Sequence, residues 1–223
     1  SLGAFMLLFH IIPPGAGRSI AFPAFGCYIF YGGDFMRISI FIDGNNFFNL
    51  CKKHLGWNVD LRKLIEFYNK TGTVVDAFYY SAIDQARPSN KFLDALPYYG
   101  FVLVSKPLKT VGYGAEAHQK GNLDIEIVMD IFNTIDNYDM AVLVSGDGDF
   151  MRPLEMLRAR GKRFQVLSHP AVVARELLTV AGMHYINIAT LEKDLKYAPL
   201  YVGEDDIQSA IEDMSRIEAE YPI

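Results

Sequence analysis

Two largely apolar stretches that both run out into acid constrain this chain more than any other feature. Ile38-Ser39-Ile40-Phe41-Ile42 leads straight into Asp43-Gly44-Asn45-Asn46, and Met140 to Val144 leads into Ser145-Gly146-Asp147-Gly148-Asp149. Neither stretch alternates polar with apolar residues, so neither suits a sheet with one wet face. Helical patterns separate such stretches along the chain. Helices are predicted over 47–54, over 61–69 with Asp60 as N-cap, over 90–99, over 150–160 and over 172–180. A long amphipathic helix runs through Asp124, Ile127, Val128, Ile131 and Ile135. Further strands are predicted over 73–80, 101–105, 164–167 and 185–188, with a Gly-containing loop over 106–119. Strands without alternation, separated by helices, predict an α/β fold. It is a three-layer, Rossmann-like parallel sheet of five to six strands with helices on both faces.

Ligands of such sheets bind beyond the C-terminal strand ends. Asp43, Asp147 and Asp149 fall there, and Asp124 opens the long helix within Lys120-Gly121-Asn122-Leu123-Asp124. Mg²⁺ takes oxygen ligands and keeps several waters, so a protein site needs only a few carboxylates. Gly44, Gly146 and Gly148 are read as residues that let the backbone turn tightly and present the acids to one point. Each element alone has a plainer explanation. Asp-Gly after a strand is usually a turn, Asp149 suits a helix N-cap, and Asp124 suits a helix dipole. Together they leave unexplained why two apolar strands end in acid with no base in the motif, since like carboxylates repel unless a cation joins them.

Ile40 to Asn46, Lys120 to Asp124 and Val144 to Phe150, in that order, resemble the motifs of the NYN domain of the PIN-like ribonuclease superfamily, in its LabA-like bacterial branch. The resemblance covers roughly 37–190. It implies a PIN-like sheet and divalent-metal-dependent cleavage of RNA, with Mg²⁺ or Mn²⁺ held by Asp43, Asp124, Asp147 and Asp149. It also implies Asn46 beside the metal or substrate, Ser145 as a supporting or phosphate-contacting group, and Lys120 as a phosphate contact equally well read as a solvated loop lysine.

Other acids and rings are set aside. Asp130 and Glu126 lie about 240° and about 200° around the helix from Asp124. His54, His118, His169 and His184 show no metal spacing, and only His118 is close to a motif. Of the aromatics able to stack on bases, Tyr113 in the Gly-flanked loop is the best placed.

Composition bounds the rest. With 223 residues, 51% of them hydrophobic, the chain can bury one sizeable core and little more. Its net charge of -5 is misleading, because the acid is concentrated in residues 198–223. There Glu204, Asp205, Asp206, Glu212, Asp213, Glu218 and Glu220 face only Arg216. The body from 36 to 197 is nearly neutral, which permits modest phosphate binding. Within the tail, Ile207, Ala210, Ile211, Met214 and Ile217 mark an amphipathic helix suited to a protein partner or self-association. The apolar runs 4–12 and 19–31 fall short of the roughly 20 residues of a membrane span. Residues 1–35 are read as an extension outside the native chain, with translation starting at Met36. Two cysteines, Cys27 and Cys51, make no disulfide framework, so a reducing, cytoplasmic setting is expected.

The expected function is therefore a metal-dependent endoribonuclease acting on RNA, single strands above all, and not on membranes. The alternative is a regulatory or binding module that keeps the acidic site with little turnover. A small-molecule phosphohydrolase is disfavoured, because no pair of aspartates one residue apart follows the first strand.

Overall fold

The computed structural model describes residues 20–22, 27–29, 36–83, 90–111, 118–120 and 122–198. The first two segments, β1 (Ile20–Phe22) and β2 (Cys27–Ile29), form a small antiparallel pair. The body begins with β3 (Arg37–Asp43), α1 (Gly44–Leu50), a π-helical segment Cys51–Leu55 and α2 (Leu61–Asn69). It continues with β4 (Thr73–Ile83), α3 (Lys91–Ala95), β5 (Val102–Pro107), β6 (Lys109–Val111), β7 (His118–Lys120) and α4 (Asp124–Asn133). Then come β8 (Met140–Val144), α5 (Met151–Ala159), β9 (Arg163–Ser168), α6 (Arg175–Ala181), β10 (Tyr185–Asn187) and α7 (Glu192–Leu195).

Six strands form one parallel sheet in the order β10-β9-β8-β3-β4-β5. The two apolar stretches are its central pair. β8 is buried along its whole length, and β3 is buried from Ile38 to Ile42. Side chains alternate between faces with period two, and the two cores follow that alternation. Ile38, Ile40 and Ile42 join Met140, Val142 and Val144 under Phe47, Leu50, Leu61 and Leu64. Phe41, Ala141 and Leu143 face the opposite way, against Ile127, Ile131, Leu154 and Leu177. Helices thus cover both faces, which is why neither strand carries a polar stripe.

β3 also marks a topological switch. The chain leaves it toward β4 and β5 on one side and later fills β8, β9 and β10 on the other. A crevice opens at such a point beyond the strand ends.

Several expectations need correction. The 106–119 stretch is not all loop, because β5 extends to Pro107 and β6 pairs antiparallel with β7 (Lys109 opposite Lys120). Tyr113 and the tail helix 204–220 lie outside the described residues. The helix read over 172–180 starts at Arg175, because the preceding turn is held elsewhere, with the Ala174 N–H donated to the Gly146 carbonyl at 2.8 Å. α7 was not foreseen. Its Leu195 is fully buried, and the Leu195 carbonyl accepts the Asp60 N–H at 2.8 Å. Asp60 caps α2 as expected, accepting from the Arg62 N–H at 3.0 Å.

Candidate metal centre

The parallel register pairs Ile42 with Val144, so β3 and β8 run out at the same level. Asp43 and Ser145 are the next residues on each strand. Their side chains meet there, with the Ser145 hydroxyl donating to Asp43 Oδ2 at 3.0 Å. The same oxygen of Ser145 accepts the Asp147 N–H at 3.2 Å. Asp43 Oδ1 accepts the Asn46 N–H at 3.1 Å and so caps α1, while Asn46 Oδ1 accepts the Gly146 N–H at 3.0 Å. Asp43, Asn46, Ser145 and the Gly146–Asp147 backbone are thereby locked into one polar strut across the strand ends. Ser145 is only 1% exposed, and its hydroxyl is shared between Asp43 and the Asp147 N–H.

Glycine is required here for space and not for an unusual turn. Neither Gly44 nor Gly146 has a positive φ. A Cβ on Gly44 would collide with the Tyr80 carbonyl, and one on Gly146 would meet the Val172 carbonyl at 2.6 Å.

Beyond the strut, Asp147 caps a 3-10 turn by accepting the Asp149 N–H at 3.0 Å, so the cap expected of Asp149 belongs to Asp147. The loop before α4 delivers Asp124, whose N–H is held by Asn122 Oδ1 at 2.8 Å. Asp124, Asp147 and Asp149 then each offer a carboxylate oxygen, and these oxygens all lie within 4.8 Å of one another. Ligand oxygens about 2.1 Å from an octahedral Mg²⁺ stand roughly 3 to 4 Å apart, so these three fit such an ion after small side-chain rotations. Asp124 and Asp147 are half-buried and Asp149 is exposed, which leaves an open side for water and a ligand. Asp43 is outside this trio but close to it. Burial raises its carboxyl above the usual range, the Asn46 N–H and Ser145 hydroxyl oppose that rise, and the charges of Asp124 and Asp147 add to it. Burial likewise raises Asp124, opposed by Asn122 and reinforced by Asp147, Asp149 and Glu126. The pocket therefore concentrates negative charge.

The acids set aside by helical angle are engaged elsewhere. Asp130 accepts the Tyr80 hydroxyl at 3.0 Å, and Glu126 pairs with Lys106. Lys120 and His118 belong to β7, at its junction with the loop that carries Asp124. Two contacts had no signal strong enough to be seen in the sequence. Asn122 is a turn residue whose role depends on the start of α4, and the rings of His54 and His169, remote in sequence, stack at 5.4 Å with planes 17° apart.

Among the described residues no helix is long and apolar enough to cross a membrane. The NYN domain model matches residues 37–189. The chain is 36% identical over 187 residues to the low amplitude and bright protein LabA of Synechococcus elongatus, an alignment covering 82% of this chain and 91% of that protein. Among solved structures, a protein of unknown function from Vibrio parahaemolyticus superimposes with a TM-score of 0.61 at 24% identity. That match covers 74% of this chain and 98% of the other, a likeness of fold.

Proposed function

This chain belongs to the NYN domain family, in its LabA-like group, and from that membership we propose that it is a divalent-metal-dependent endoribonuclease of the cytoplasm. The observation that carries the proposal is the convergence of Asp124, Asp147 and Asp149 from separate stretches of chain to within 4.8 Å. Mg²⁺ or Mn²⁺ would be held by these three, with Asp43 as a fourth carboxylate facing Asp124 and Asp147. Bound there, such an ion supplies charge neutralisation at a scissile phosphate and a more acidic attacking water.

The chain's own residues do the positioning. Ser145 and Asn46 hold Asp43 at a fixed orientation on the strand ends. Asp147 orders the turn that aims Asp149, and Asn122 fixes the first residue of α4. An acidic pocket repels a phosphodiester until a cation offsets it, so substrate binding and metal binding are coupled by charge alone. Lys120, beside the Asp124 loop, would contribute a point charge to a neighbouring phosphate. RNA as substrate is supported by the family, and a single strand by the open side at Asp149.

A second reading, a module that binds RNA with little turnover, is favoured by one feature: both oxygens of Asp43 are already engaged in the strut. Cleavage of labelled single-stranded RNA separates the two. Wild type is compared with Asp43→Asn and Asp147→Asn, with Mg²⁺ or Mn²⁺ and with EDTA. Metal-dependent cleavage lost in both folded variants supports the nuclease. The same background in all three supports the module.

A further inference from the structure

The turn that carries Asp147 is backed by a second turn, from the neighbouring strand. β9 lies beside β8 in parallel register, with Val144 opposite Leu167, so Ser145 and Ser168 follow at one level. After Ser168 the chain turns over residues 169–174 and enters α6. That turn walls both glycines that flank Asp147. The Ala174 N–H donates to the Gly146 carbonyl at 2.8 Å. A Cβ on Gly146 would lie 2.6 Å from the Val172 carbonyl and 2.9 Å from Ser168 Oγ, and one on Gly148 would lie 3.2 Å from Ala174 Cβ. Close packing transmits displacement, so the Asp147 loop follows the turn behind it.

His169 closes that second turn. Its carbonyl accepts the Val172 N–H at 3.0 Å and the Val173 N–H at 3.1 Å, two bonds that a residue of any type supplies. Pro170 has no N–H, so Ala171 brings the first donor of the turn. That donor goes to the His169 side chain, with the Ala171 nitrogen 3.1 Å from Nδ1, which assigns the ring proton to Nε2. Besides histidine here, Asn, Asp, Ser and Thr are the side chains that bond to backbone two residues on. The ring has a second engagement. His54, in the π-helical segment after α1, stacks on it at 5.4 Å with the planes 17° apart. The flat face thus meets a ring of another element, whereas the nitrogen bonds to the turn itself.

We infer that His169 is a positioning residue of the acidic pocket: its Nδ1, by holding the Ala171 N–H, sets the turn that backs Gly146 and Gly148 and so places Asp147 for the cation. The inference rests on the metal centre proposed above. It adds a residue that acts on that centre only through the backbone behind it.

Two substitutions separate the nitrogen from the face. His169→Phe keeps a flat ring for His54 and removes the acceptor, and His169→Asn removes the ring and keeps an acceptor for the N–H two residues on. Mn²⁺ is titrated into the full chain without RNA, with the free ion followed by electron paramagnetic resonance. Amide hydrogen exchange over residues 145–150 is followed without metal and normalised to that of α2, so that a global loss of stability is not read as a local one. His169→Phe is expected to weaken Mn²⁺ binding and to speed exchange, each by about fivefold, the effect of one neutral hydrogen bond. His169→Asn is expected to match wild type in both. Where wild type binds the ion, a His169→Phe that keeps wild-type affinity or wild-type exchange overturns the inference. An equal loss in both variants also overturns it, as does a loss in His169→Asn alone, which assigns the role to the stack. The metal centre fails separately. Wild type that takes up no more Mn²⁺ than Asp147→Asn removes the ion from the pocket, and exchange then decides by itself whether His169 sets the Asp147 turn.

Discussion

The Ser145 hydroxyl stands 3.0 Å from Asp43 Oδ2 and 3.2 Å from the Asp147 amide nitrogen, and so joins two strand ends that are 102 positions apart in the chain. It donates to one acid and accepts from the backbone of another. Removing it in Ser145→Ala leaves Asp43 short of one donor and the Asp147 N–H short of its acceptor. A hydrogen bond to a charged group contributes about 1.5–3 kcal/mol. The variant should therefore melt roughly 3–12 °C lower, at about 2–4 °C per kcal/mol for a domain of this size. RNA cleavage should fall at least about tenfold as the carboxylates lose register. A calorimetric melt unchanged from wild type would show that the strut carries no weight.

Charge crowding in the pocket makes an opposite prediction for Asp124→Asn. Without divalent metal the carboxylates of Asp124, Asp147 and Asp149 repel, so removing one charge relieves the fold. In EDTA at neutral pH the variant should melt about 2–4 °C above wild type, the shift expected for about 1 kcal/mol. Millimolar Mg²⁺ should then raise the wild-type melting temperature and leave the variant where it was, because only the native pocket binds the ion. Equal responses to Mg²⁺ would place the ion elsewhere.

Gly146→Ala tests the steric reason for that glycine. The new methyl group would lie 2.6 Å from the Val172 carbonyl and 2.9 Å from Ser168 Oγ. The turn before α6 would have to move, at a cost of about 1–3 kcal/mol. A loss of stability with cleavage falling in parallel is expected in urea unfolding and activity assays. Tolerance of alanine would mean that the turn has more room than the geometry gives it.

Acid stability has a separate origin, at the foot of the sheet. The Arg37 guanidinium donates to Asp139 Oδ1 at 2.8 Å and the Arg37 N–H donates to Oδ2 at 2.9 Å. That side-chain bond holds the Asp139 carboxyl below its usual range, against a smaller opposing effect of burial. A depressed carboxyl binds its proton less well folded than unfolded. Its stabilisation is thus present above the unfolded value of about 3.9 and is lost as pH falls through the folded value. Both partners are 44% exposed, so the pair is worth about 1 kcal/mol at most. Asp139→Asn should be less stable than wild type at pH 7, and the difference should vanish toward pH 2 in urea titrations. A gap that persists at pH 2 would contradict this origin.

Much of the architecture was legible because burial on both faces leaves a direct trace. An unalternating run such as Met140–Val144 has no other comfortable place than the middle of a covered parallel sheet. The acids were legible for the related reason that strand ends are where a chain of this kind exposes polar groups. The grouping within the site was not. Asp43 and Asp147 look alike in the sequence, yet Asp43 accepts from Ser145 and Asn46 across the strand ends, while Asp124 closes on Asp147 and Asp149. Which carboxylates converge depends on sheet register and loop path, and neither is written in local spacing. The His54–His169 stack was invisible for the same reason, since it joins two residues remote in sequence. Glycine was recognised at the right positions for the wrong reason, because close approach of backbone and positive φ leave the same residue in a sequence.

Whether Asp124, Asp147 and Asp149 share a divalent ion is tested most directly by crystals grown in Mn²⁺, with data collected at the manganese absorption edge. The account predicts one strong anomalous peak within bonding distance of a carboxylate oxygen from each of the three. A map with no peak in that pocket at millimolar Mn²⁺, or with manganese only at other surface carboxylates, would contradict it.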